Sequence, residues 1–122
     1  MITFQRQMAL SHMDLTALDL LFEGDRARMK EWIGIYLEEA PPLFQRLSDS
    51  QAQGDVPGLT TAAHDLRPLA HYLGAPHMLE LITIISYRAR TEGAAACFDP
   101  VQELLAFGAS AEMELRATLK DR

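Results

Sequence analysis

Cysteine is nearly absent from this chain: Cys97 stands alone among 122 residues. One thiol cannot form an internal disulfide, so the fold must rest on its apolar core, and the composition suits a reducing compartment. Positive charge is scarce too. The chain sets 11 Lys and Arg against 17 Asp and Glu, a formal net charge of −6. That balance argues against nonspecific binding to nucleic acid or to an acidic membrane. No apolar run approaches the roughly 20 residues of a membrane span. The amino-terminal stretch has no long apolar core followed by a small-residue cleavage site, so no signal peptide is expected and the cytoplasm is the default compartment. A glycine-rich nucleotide loop is missing, so no autonomous kinase activity is expected. Strand alternation is missing as well; "LITIIS" is β-branched but short, and it lies inside a helix-length span.

What is present is helical patterning between short punctuation. The length points to a single domain over residues 1–122, large enough to bury roughly two thirds of its unfolded surface. Asp14 is a candidate N-cap for "LTALDLLF", and Gly24 is its stop. Asp25 can cap a long helix whose apolar positions include Met29, Trp32, Ile33, Tyr36, Leu37, Ala40, Leu43, Phe44 and Leu47. Pro41 and Pro42 should kink it without breaking it, because the pattern resumes in phase. Gly54 ends that helix. Another begins near Val56 to Leu59 and stops at Gly74, and Pro76 opens a further one that stops at Gly93. Asp99 and Pro100 read as cap and first turn of the last helix, which runs to about Lys120. The expected fold is all-α: an up-and-down four-helix bundle with a short additional N-terminal helix, its core spanning about 14–119.

"AHDLRPLAHYLGA", residues 63–75, carries the chemistry. At about 100° per residue, Leu59, Ala62, Leu66, Leu69 and Leu73 share one side of the helix. Thr60, His64, Arg67, Pro68 and His71 share the other. His64 is therefore expected at the surface. A neutral imidazole is a competent nucleophile near neutral pH, and a helix holds it still. Arg67, three residues on, supplies a cation for an incoming phosphoryl group, and Asp65 to one side offsets that field slightly. No serine or cysteine nucleophile shares the face.

The segment resembles the signature of histidine-containing phosphotransfer (HPt) domains of bacterial phosphorelays, through Ala63, His64, Leu66, Arg67, Pro68, Gly74 and Ala75. "LFEGD", "YLEEAPPLFQRL" and the Gly54–Asp55 pair before the histidine helix resemble the flanking stretches of that family, and the likeness covers roughly residues 14–119. Two positions depart from the family pattern: Arg67 replaces the usual lysine and Pro68 the usual glycine. The resemblance implies that His64 is phosphorylated by the aspartyl phosphate of a receiver domain and passes the group to another receiver aspartate. The implied partners are response-regulator receivers, with a hybrid histidine kinase as a further candidate. Mg²⁺ would belong to the receiver, with no cofactor bound by this domain, no nucleic acid or membrane partner, and a monomeric state.

Other readings stand beside it. Pro68 motivates a module that binds a receiver or kinase without phosphotransfer, and a plain helical adaptor is a third possibility. A metal site is disfavoured: His64 and His71 are seven residues apart, about 10.5 Å along a helix, and His77 has no clear carboxylate partner in the sequence. His71 and Tyr72 are docking candidates, and Thr60 lies on the same side. His12 is given no role. Arg28, Lys30, Arg46, Arg88 and Arg90 read as solvated charge, and Trp32, Tyr36 and Phe44 as core.

Overall fold

Asp25 sets the first boundary of the bundle. Its carboxylate accepts the backbone N–H of Arg28 at 3.2 Å, closing one of the unpaired donors at a helix start. From there α1 runs over Arg26–Gln53. Pro41 and Pro42 lie inside it without ending it. Gly54 stops it in the left-handed region at φ 73°, where the missing Cβ removes the steric penalty. Asp55 then caps α2, Val56–Leu73, by accepting the N–H of Gly58 at 3.0 Å.

Helix α2 ends as expected at Gly74, with Ala75 N–H donating to the Ala70 carbonyl at 3.2 Å. Pro76 opens α3, Pro76–Glu92. A 3-10 turn over Ala94–Cys97 then leads into α4, Phe98–Asp121. Here the sequence reading is corrected: Asp99 is in the first turn of α4 rather than its cap. The 3-10 turn feeds straight into the helix, so the chain is already helical at Phe98 and no extended cap position exists.

The computed structural model describes residues 19–121. Residues 19–21 are helical and lead into a turn, the described end of the short front helix. Its proposed cap Asp14, and His12, lie outside the described residues.

The four long helices form the up-and-down bundle. Helix α1 packs against α2 and α4, α2 against α3, and α3 against α4. Ile33, Tyr36 and Leu47 from α1, Leu59, Leu66 and Leu73 from α2, Ile82 and Ile85 from α3, and Leu104 and Leu115 from α4 are almost wholly buried. Trp32 and Phe44 pack against this core while partly exposed. The Gln51 side chain donates to the Ala94 carbonyl at 3.1 Å, tying the end of α1 to the 3-10 turn. Cys97 is buried there, and burial pushes its thiol pKa up. Among the described residues no helix is long and apolar enough to cross a membrane.

Candidate functional site

Helix α2 sorts its residues by face. Leu59, Ala62, Ala63, Leu66, Ala70 and Leu73 are buried, while His64, Asp65, Pro68 and His71 are exposed. The small side chains at 62, 63 and 70 let the neighbouring helices come close without covering the outer face. The helix continues five residues past Pro68, to Leu73, so His64 stands on a continuous scaffold rather than at a frayed end.

The imidazole of His64 lines a groove of about 530 Å³ between α1 and α2. Asp65 and Pro68 from α2 line it too, with Glu38, Glu39, Pro42, Leu43 and Arg46 from α1. The Arg46 guanidinium lies 3.7 Å from the Asp65 carboxylate, both side chains being about half exposed. Among the described residues, three carboxylates and one guanidinium thus line the groove with the histidine.

The residues grouped by sequence around His64 are only partly brought together. Arg67 turns the other way: its Nη2 donates to Thr83 Oγ1 on α3 at 3.2 Å. Thr60 turns its hydroxyl back to its own helix, donating to the carbonyls of Val56 and Pro57 at 3.0 and 3.1 Å. Tyr72 is about half exposed and packs its ring on Trp32, 5.4 Å between centroids. It borders a second, smaller groove with Leu21, Phe22, Glu23 and Arg28. His71, in the last turn of α2, has its side chain in solvent.

His77 corrects the sequence reading. Its Nε2 is 2.8 Å from Glu103 on α4 and its Nδ1 3.4 Å from Glu80 on its own helix. Glu103 is distant in sequence and arrives only through the packing of α3 on α4. Even so, no group of three or more His, Cys, Asp or Glu among the described residues is arranged to hold a metal ion.

Sequence reasoning missed Glu38 and Glu39 as neighbours of His64 and favoured solvated charge for Arg46 over a place on the docking face. Their signal was available in part: positions 38, 39, 42 and 46 fall on one stripe of α1 at helical spacing. What the pattern lacked was the rotation of α1 about its axis relative to α2, which only packing sets.

No family model matches the chain, and no curated protein matches it in sequence. A solved structure matches it in fold: the crystal structure of the HPT domain from an Hpt sensor hybrid histidine kinase of Shewanella, at a TM-score of 0.81 and 17% identity, covering 93% of this chain and 97% of that one. The two chains share a helical-bundle fold.

Proposed function

We propose that this chain is a phosphorelay intermediate, acting as one domain, with His64 as the phosphorylated residue. The observation that carries the reading is His64 itself, exposed on the continuous helix α2 and lining a groove open to a partner. The shared fold with the Shewanella HPT domain supports it. One ring nitrogen of His64 attacks the phosphorus of a receiver's aspartyl phosphate. The N–P bond forms, the acyl O–P bond breaks, and the aspartate leaves with the electron pair. The second transfer reverses these bonds onto another receiver aspartate.

This chain's part is positioning and charge. Buried Ala62, Ala63 and Leu66 clamp the backbone around His64, so the ring is presented at small entropic cost. The metal and the acidic phosphorylation pocket belong to the receiver.

The test is incubation with receivers of the source organism carrying labelled aspartyl phosphate. Label is expected on the wild type and not on His64→Gln; no transfer from any of those receivers would sink the reading. Pro68 favours one alternative, because it lines the same groove as His64 and adds bulk at a docking face. A binding-only module would hold a receiver equally well after His64→Gln, with no label on the wild type.

A further inference from the structure

We propose that Arg46, from the neighbouring helix α1, is the cation that meets the phosphoryl group on His64, in place of Arg67. The proposal rests on the phosphotransfer reading above. Arg46 and His64 line one groove, and Arg67 is not part of that lining. The Arg67 guanidinium is instead engaged by Thr83 on the α3 side. Among the described residues, Arg46 is the one lysine or arginine lining the groove, against Glu38, Glu39 and Asp65.

The way Arg46 is held supports the assignment. At 3.7 Å its contact with Asp65 is longer than a hydrogen bond, and an exposed pair of this kind is weak. Asp65 and His64 line the same groove as Arg46, so the guanidinium is held by Asp65 within the groove that the nucleophile lines. A phosphoryl group adds about −1.5 to −2 charges and three acceptor oxygens. It competes well against one loosely held carboxylate, and the planar guanidinium fork suits two of those oxygens. Asp65 then acts in the opposite sense. It holds Arg46 in the unphosphorylated state and repels the phosphoryl group once it arrives.

The experiment compares rates of His64 labelling in the full chain, using phosphoramidate as a small donor and a phosphorylated receiver as a large one. The small donor separates phosphoryl binding from docking. Arg46→Gln is expected to slow labelling about tenfold, with Arg46→Lys between it and the wild type. Arg67→Gln should stay within about twofold. Asp65→Asn should label at least as fast as the wild type. That sign separates the proposal from a merely structural 46–65 pair, whose two halves would show the same loss. Both sites are half exposed, and circular dichroism checks that each variant folds. The inference alone is overturned if wild type is labelled on His64 while Arg46→Gln matches it, while Asp65→Asn slows as Arg46→Gln does, or while Arg67→Gln carries the loss. A wild type labelled by neither donor overturns the phosphotransfer reading and this inference with it.

Discussion

Arg67 donates to Thr83 across the α2–α3 contact at 3.2 Å, and the Thr83 hydroxyl in turn donates to the Leu79 carbonyl at 3.0 Å. Arg67 is thereby a bridge between two helices. Arg67→Ala and Thr83→Val should each lower stability by about 0.5 kcal/mol or less, since the bond is exposed. The double variant should lose no more than the larger single loss. Urea denaturation of the four proteins in a double-mutant cycle reads this directly; additive losses would show that the bond contributes nothing.

Pro68 sits inside α2 and cannot donate to the carbonyl one turn back, that of His64. Alanine restores that donor and favours the helix. Pro68→Ala is expected to raise stability by about 1–2 kcal/mol, and His64 should still accept label. A lower urea midpoint would mean that the packing around the proline outweighs its backbone cost.

Glu38 and Glu39 share the groove with His64. Like charge beside a phosphoryl group raises the energy of the phosphorylated state and favours passing the group on. The Glu38→Gln, Glu39→Gln double variant should lengthen the lifetime of the phosphohistidine about two- to fivefold, a difference that shrinks as salt is added. Following labelled protein over time at two ionic strengths checks it, and an unchanged lifetime at low salt would contradict it.

Much of the scaffold for this groove was legible in the sequence because its signals are local. Asp25, Gly54, Gly74, Pro76 and Gly93 bound the helices through their own backbone preferences, and the 3.6-residue period turned His64 outward correctly. Relations between helices were not legible. The placement of Arg46 and the Glu38–Glu39 pair depends on the rotation of α1 against α2, and the His77–Glu103 contact on the packing of α3 against α4. The 3-10 turn at Ala94–Cys97 escaped because "AAAC" carries no cap or period. It shifted the start of α4 ahead of Asp99.

Gly108 shows how tightly α1 and α4 fit. A Cβ built there would lie 2.7 Å from the Phe44 ring, although glycine normally weakens a helix interior. Gly108→Ala should therefore destabilise by about 1–3 kcal/mol through overpacking. Adding Phe44→Leu should recover part of the loss. Thermal denaturation of both variants tests it; a stabilised Gly108→Ala would show that the ring moves aside freely.

Tyr36 is buried, and its hydroxyl has no hydrogen-bond partner among the described residues. Burial first, and the Glu112 charge second, push its pKa above the ordinary phenol range. The native state thus keeps a proton that the unfolded chain gives up near pH 10. This contribution to stability is full below about pH 10 and falls as pH rises above it. Tyr36→Phe should be at least as stable at neutral pH and should lose less stability between neutral and alkaline pH. Urea midpoints measured across that range check both expectations.

The central claim is tested most directly by locating the phosphoryl group after transfer. Wild-type protein is incubated with a labelled receiver from the source organism, then digested under alkaline conditions that preserve phosphohistidine. The expected result is an acid-labile label on the peptide carrying His64, absent from His64→Gln and retained in His71→Ala. Label that stays on the receiver, or that appears at His71 and disappears in His71→Ala, would contradict the assignment of His64 as the phosphorylated residue.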